Sequence, residues 1–235
     1  MFFQREIMMC TIETFKKLLS EAEAIVIGAG AGLSASAGFE YGGKTFLDNF
    51  KYMHDAYGYT DMYQAGFHPF SSEEEKWAYW AKMIYLNRYE AGALPLYQKV
   101  FEIVKDKNYF VITTNVDHQF QLAGFDKKRL FYMQGDYGLF QCSKACHPKT
   151  YDNAAVIIEM VKETKNHIVP KNLLPKCPVC GAPMTTNLRC DTTFVEDEVW
   201  HQAEKRYRTF IEENKNKKNL FLELGVGLWI KFPFM

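Results

Sequence analysis

The sequence predicts an α/β fold: a doubly wound parallel sheet with a small metal-binding module inserted into it. Three observations predict this. A short apolar run, Ala24 to Ile27, passes directly into a glycine-dense turn with Gly28, Gly30 and Gly32 on alternate positions. Later apolar runs of strand length, Tyr109 to Thr113, Leu130 to Met133 and Asn219 to Leu224, each end in a polar or glycine turn. Four of the six cysteines fall in two knuckles, Cys142-x3-Cys146 and Cys177-x2-Cys180.

The bulk numbers fit one sizeable domain with a small module. There are 235 residues, 48% hydrophobic and 24% charged, ordinary values for a globular protein. The 28 basic and 28 acidic residues cancel, which argues against a general nucleic-acid or anionic-membrane binder. No apolar run has the length of a bilayer span. Met1 to Cys10 lacks the apolar core and small-residue cleavage site of a secretory signal. A cytoplasmic location is expected, with cysteines used for metal and not for disulfides.

Taken in order, Thr11 caps a helix to Glu23 with an apolar stripe of Phe15, Leu18 and Leu19. The strand at Ala24 follows. In the glycine turn after it, backbone without Cβ atoms can approach a ligand closely, and free N–H groups attract anions. The strict G-x-G-x-x-G pattern is not met, because Leu33 and Ala35 occupy the sixth positions. Residues 40–70, rich in Gly, Tyr and Phe, read either as a lid or as a small helical module. Ser72-Glu73-Glu74-Glu75 is a capping box that opens a helix to about Ala91, with Trp77, Trp80, Ile84 and Tyr85 near one face. Leu94 to Lys105 is a further helix with Pro95 in its first turn.

Thr114-Asn115-Val116-Asp117 follows the strand at 109–113, and Gln134-Gly135-Asp136 follows the strand at 130–133. Ligands of open α/β sheets bind beyond the carboxyl ends of strands, so these polar residues share an edge with the glycine turn. Asn and Asp also build ordinary turns. Paired knuckles present four thiolates tetrahedrally to one zinc, Cys142, Cys146, Cys177 and Cys180, a set with no open position. An iron–sulfur cluster is the alternative metal group, and His147 is a rival ligand. A helix around Ala154 to Lys162 lies between the knuckles. Cys10 and Cys190 are left as free thiols. Glu196 to Lys215 is a long helix, and His201 on it reads as a surface or packing residue. The last strand ends in Gly225-Val226-Gly227, and Ile230 to Phe234 reads as one more strand. That segment follows too closely for a parallel crossover, so either it is not a parallel neighbour or the chain is C-terminally short. The boundaries implied are a nucleotide-binding domain over 1–138 and 186–235, and a metal module over 139–185.

The order of these motifs resembles the sirtuins across nearly the whole chain. The carrying residues are Gly30-Ala31-Gly32-Leu33-Ser34-Ala35-Ser36-Ala37-Gly38, Thr114-Asn115-Val116-Asp117, Gln134-Gly135, the four cysteines, and Leu222-Glu223-Leu224-Gly225-Val226-Gly227. The resemblance implies a Rossmann-like NAD-binding domain. It implies a cofactor site of Gly30, Ala31, Gly32, Ser34, Gly38, Thr114, Asn115, Asp117, Gln134, Gly225, Val226 and Gly227, and zinc in the inserted module. Two departures stand out. Glu40-Tyr41-Gly42-Gly43 replaces the family's Pro-Asp-Phe-Arg, and Gln134 replaces the histidine that serves as general base. Together with Asn187-Leu188-Arg189-Cys190-Asp191, they resemble the microbial macrodomain-linked class. That likeness implies protein mono-ADP-ribosylation, with Asn115, Gln134 and Arg189 as the catalytic trio. It also implies a lipoyl-carrier protein as acceptor and a macrodomain hydrolase as a partner. Chemistry points the same way: an amide has no useful proton affinity near neutrality, so Gln134 cannot be the base that deacylation needs. The other readings are an NAD-dependent deacylase and a catalytically weakened NAD- or ADP-ribose-binding protein.

Overall fold

The Thr11 hydroxyl accepts the Thr14 N–H and starts α1 (Ile12–Glu21), whose Leu19 packs inward while Leu18 stays exposed. The computed structural model describes residues 11–227. Cys10 and the expected strand at 230–234 lie outside the described residues. β1 (Ala24–Ala29) is buried along its whole length and runs into the short helix α2 (Ala31–Ser36). Residues 40–70 form helices, α3 (Gly43–Tyr57) and α4 (Met62–Gly66). Phe46, Phe50 and Met53 of α3 sit at i, i+4 and i+7 and bury one face. α5 (Glu73–Ile84) opens on the Ser72 hydroxyl, which accepts the Glu75 N–H. The Glu75 carboxylate reaches back to the N–H and hydroxyl of Ser71, one residue earlier than a capping box requires. The α-helix expected to Ala91 stops at Ile84. From there the chain widens into a π-helical turn, Tyr85–Glu90.

α6 (Pro95–Val104) has proline in its first turn, where a missing N–H costs nothing. β2 (Tyr109–Thr113), α7 (Gln119–Leu122) and β3 (Leu130–Tyr132) follow, β3 ending one residue short of the expected Met133. Then come β4 (Gly135–Cys142), β5 (Tyr151–Asp152), α8 (Ala154–Glu163) and β6 (Met184–Leu188). α9 (Glu198–Asn214), capped by the Asp197 carboxylate, leads to β7 (Asn219–Leu224).

Two sheets organise these elements. The first has four strands in the order β3-β2-β1-β7, and every pair is parallel. Side chains alternate across it. Ile25, Ile27, Tyr109, Val111 and Leu130 pack with Tyr97 and Val104 of α6, while Val26, Phe110, Ile112 and Phe131 pack with Ala203 and Tyr207 of α9. Helices on both faces explain why β1 and β2 read as unbroken apolar runs. The second sheet is antiparallel, β5-β4-β6. It shares a core with α3, α5 and α8 through Phe50, Trp77, Phe140 and Ile157. Among the described residues no helix is long and apolar enough to cross a membrane.

Candidate active site

Because the four strands are parallel, their carboxyl ends share one edge, where the turns after β1, β2, β3 and β7 meet. The Gly30 N–H donates to the Leu224 carbonyl at 3.1 Å and the Gly32 N–H to the Gly225 carbonyl at 3.0 Å. A Cβ on Gly30 would stand 2.7 Å from the Gly225 oxygen, and one on Gly32 would stand 2.9 Å from Gly225 Cα. Gly225 has φ +63°, and a Cβ there would lie 1.9 Å from the Leu33 nitrogen. These glycines therefore let two loops touch. The Gly32 amide, which the sequence offers to an anion, is bonded to protein. Gly38 has φ +100° with open space around its Cβ position.

Beneath this junction lies a buried polar network. The Ser34 hydroxyl donates to Asp117 Oδ2 at 2.5 Å and lies 2.7 Å from the Tyr97 hydroxyl. Asn115 Nδ2 donates among the Gly30 carbonyl (3.0 Å), Ser34 Oγ (3.1 Å) and Tyr97 Oη (3.0 Å). Proton counting sets the directions. Ser34 has one proton and gives it to the carboxylate, so the Tyr97 O–H donates to Ser34. Burial raises the Tyr97 pKa, which keeps that proton in place. Burial also raises the Asp117 pKa, against the lowering effect of the Ser34 bond and the Gln119 N–H. The Asn115 N–H donates to Thr113 Oγ1 at 3.0 Å, and the Thr114 N–H to the Ala29 carbonyl at 3.0 Å. Among the described residues every side-chain bond of Asn115 uses Nδ2. Its Oδ1 is left as the atom that can meet a ligand.

Above the network opens a cavity of about 590 Å³. Ala31, Ser34, Thr114, Asn115, Asp117, Gln134 and Arg189 all line it. Gly30, Gly32, Gly38 and residues 225–227 do not. Gln134 and Arg189 are neighbours because β4 pairs with β6, and the Arg189 N–H donates to the Gln134 carbonyl at 3.1 Å. The Arg189 guanidinium stacks over Phe194 at 4.3 Å and pairs with Glu196 at 2.5 Å. One wall is apolar, built from Met62, Phe67, Trp80 and Met83, with the exposed ring of Tyr63 at its edge. Cys190, expected to be a free thiol, also faces this cavity. Sequence reading missed Tyr97 and the apolar wall. Tyr97 carries no local motif, and the wall comes from the undecided stretch 40–70 and from Trp80 and Met83 of α5.

The four knuckle cysteines converge at the far end of β4. Their sulfurs all lie within 4.8 Å of one another, with 3.6 Å between Cys142 and Cys180 and between Cys146 and Cys177. A tetrahedral zinc with bonds of ~2.3 Å sets sulfurs ~3.8 Å apart, so the cluster has the right size for one ion. The Cys146 N–H, with that of Lys144, draws the Cys142 thiol down to about 6 against the opposing effect of burial. That favours the thiolate a metal needs. His147 sits beside the set as a hydrogen-bond partner. Its Nδ1 is 3.0 Å from Cys146 Sγ and its Nε2 is 2.7 Å from the Tyr151 hydroxyl.

No protein-family model matches the chain. A protein ADP-ribosyltransferase of Staphylococcus aureus (strain Mu50 / ATCC 700699) is 40% identical over 227 residues, spanning 94% of this chain and 72% of that protein. A probable bifunctional ADP-ribose hydrolase/ADP-ribosyltransferase of Fusarium oxysporum f. sp. cubense is 30% identical over 224 residues, 91% of this chain but 37% of that longer protein. Among solved structures, a mutant Sir2 homologue in complex with ADP-ribose superposes with a TM-score of 0.58 at 18% identity, covering 94% of this chain and 77% of that one. A Sir2 homologue in complex with NAD gives 0.56 at 17% identity, covering 95% and 76%. These structures establish the fold. With the Staphylococcus relative aligned over nearly the whole of this chain and 72% of its own length, the chain, built on the fold of these Sir2 homologues, belongs to the protein ADP-ribosyltransferases.

Proposed function

We propose that this chain cleaves NAD at its nicotinamide–ribose bond and transfers a single ADP-ribosyl group to a protein side chain. The observation that carries this reading is Gln134. It stands at the carboxyl end of β3, on the wall of the cavity that Asn115 and Arg189 also line. Nicotinamide leaves as a neutral base and takes the bonding electron pair, so its departure needs no acid. Transfer then needs a held ribose and an aligned nucleophile. Gln134 can give and accept hydrogen bonds to ribose hydroxyls, and Asn115 Oδ1 can orient the nicotinamide end. Arg189, stacked and paired at the rim, can meet a phosphate or the acceptor. In this reading the loops at Gly30–Gly32 and Gly225–Gly227 carry the adenosine side of NAD, next to the cavity and not within it. Zinc held by Cys142, Cys146, Cys177 and Cys180 would fasten the second sheet and take no part in the chemistry.

The apolar wall supports an acceptor whose reactive group arrives on an aliphatic arm, as in a lipoyl-carrier protein. The pairing stated in the name of the Fusarium protein is extended to this chain: an ADP-ribose hydrolase would act with the transferase. The described cysteines are all unpaired thiols, which fits a reducing, cytoplasmic setting. The test follows label from NAD to a lipoylated carrier, with an acetyl-lysine peptide as the competing substrate. Wild type labels the carrier, and Gln134→Ala loses about tenfold or more, since a ribose hydroxyl without its partner costs ~1–3 kcal/mol. O-acyl-ADP-ribose from the peptide at a rate that Gln134→His does not raise would refute the transferase reading. Label on neither substrate would reduce the chain to a nucleotide-binding protein.

A further inference from the structure

Asp136 lies two residues past Gln134, at the start of β4, and does not line the cavity. Its side chain is 6% exposed, yet both oxygens are engaged from three elements. Oδ2 is 2.5 Å from His118 Nδ1. Oδ1 accepts from Arg88 Nε at 3.0 Å and from the Gly138 N–H at 2.7 Å. His118 belongs to the loop that carries Asn115, three residues on. Its backbone is held at φ +65°, in the left-handed region that residues with a Cβ avoid. Arg88 comes from the π-helical turn, a widened helix frequent at functional sites. A Cβ on Gly138 would stand 3.0 Å from both Arg88 Nε and Asp136 Oδ1, so position 138 leaves room for the pair. The main chain repeats the connection, with the Tyr137 N–H donating to the Val116 carbonyl at 3.0 Å.

We propose that Asp136 is a positioning residue: it clamps the loop carrying Asn115 to the turn carrying Gln134, with His118 and Arg88 as its two counter-groups. The inference rests on the reading of Asn115 and Gln134 as site residues. Burial alone would push the Asp136 carboxyl up, but the His118 bond and the Arg88 charge hold it below the usual carboxylate range, so it is ionised in use. An ionised carboxylate ties two loops more stiffly than neutral bonds do. Without it, the backbone at His118 would relax out of its left-handed turn and carry Asn115 with it. A displacement of about 1 Å at a reacting centre costs about 10²-fold in rate.

The experiment measures kcat and KM for NAD, and thermal stability, in wild type, Asn115→Ala, Asp136→Asn, Asp136→Glu and the double variant Asn115→Ala/Asp136→Asn. Asp136→Asn is expected to stay folded at the assay temperature and to lower kcat by about 10²-fold with KM unchanged. Asp136→Glu should recover part of that loss. In the Asn115→Ala background, Asp136→Asn should cost little more, because both changes remove one arrangement. A merely structural role predicts the same fractional loss in both backgrounds, and that result overturns the proposal. Should Asp136→Asn fail to fold, His118→Gln cuts one arm of the clamp and takes its place in the same cycle. Asn115→Ala at the wild-type rate overturns the site reading and the clamp with it. A slow Asn115→Ala beside a fast Asp136→Asn overturns the clamp alone.

Discussion

Ser34→Ala tests whether the buried network is as tightly coupled as its geometry says. The hydroxyl removed is 1% exposed. It donates to Asp117 at 2.5 Å and accepts from Tyr97 at 2.7 Å. A hydrogen bond to a buried charge contributes about 1.5–3 kcal/mol, and a buried donor left without its acceptor costs about 1–3 kcal/mol. Tyr97 keeps Asn115 Nδ2 at 3.0 Å and Asp117 keeps the Gln119 N–H at 3.1 Å. The terms therefore overlap, and about 3 kcal/mol is the expected loss. For a chain of this size each kcal/mol lowers Tm by about 2–4 °C, so the drop should be about 6–12 °C. The pH dependence has a definite sign. The Asp117 pKa is already raised by burial, and removal of its donor raises it further. Stability is then lost as pH rises from the unfolded value near 3.9 through the folded one. Ser34→Ala should therefore cost more at pH 7.5 than at pH 4. Urea unfolding at both pH values measures this. A loss under about 0.5 kcal/mol, or a larger loss in acid, would refute the proton assignment.

Three further outcomes are expected. Gly32→Val should weaken NAD binding by about tenfold, a change of about 1.4 kcal/mol, because its Cβ would push the Gly225 loop aside; titration calorimetry with an unchanged Kd would detach this junction from the nucleotide. Cys177→Ser should lose about one zinc per chain and expose the segment between the knuckles to protease, whereas full metal content by elemental analysis would show that the sulfur is no ligand. Asp136 has the opposite sign to Asp117: its folded pKa is depressed, so its contribution is present above the unfolded value near 3.9 and is lost as pH falls through the folded one. Asp136→Asn should remove that part of the acid-induced loss, and parallel acid-unfolding slopes for the two proteins would contradict it.

Much of the sheet was legible because its signals are local. β2 and β7 have the expected limits, since β-branched and aromatic runs end in turns that any strand would need. The four cysteines were legible because metal-ligand spacing is itself a local pattern. Other features depend on tertiary packing. α3 has no side-chain cap, beginning at Gly42-Gly43, so its i, i+4, i+7 signal of Phe46, Phe50 and Met53 was masked by glycine and aromatic composition. The π-helical turn is invisible locally, because Tyr85 to Glu90 would suit an α-helix equally well. The role of the glycines was legible in kind but not in cause. They read as space for a ligand, whereas Gly30 and Gly32 make space for Gly225, a residue near the other end of the chain. Tyr97 carries no motif, and Asp136 was legible as a polar strand-end residue but not in its partners; only the fold brings the two to Ser34 and His118.

The placement of β1 bears on how the chain is made. β1 is interior in its sheet, and one of its two neighbours is β7, the last strand among the described residues. The Glu23 carboxylate already accepts the Lys218 N–H, a contact between residues 195 positions apart in the chain. During synthesis at about 5–20 residues per second, β1 would emerge roughly 10–40 s before its partner β7 exists. Through that interval β2 can cover one edge, while the other presents unpaired amides and carbonyls beside an apolar run, Ala24 to Ile27. Such an edge invites pairing with another nascent chain, and closing so long a loop is intrinsically slow. The strand order that gathers the loops after β1, β2, β3 and β7 onto one edge thus leaves the growing polypeptide with an open sheet edge until β7 is made.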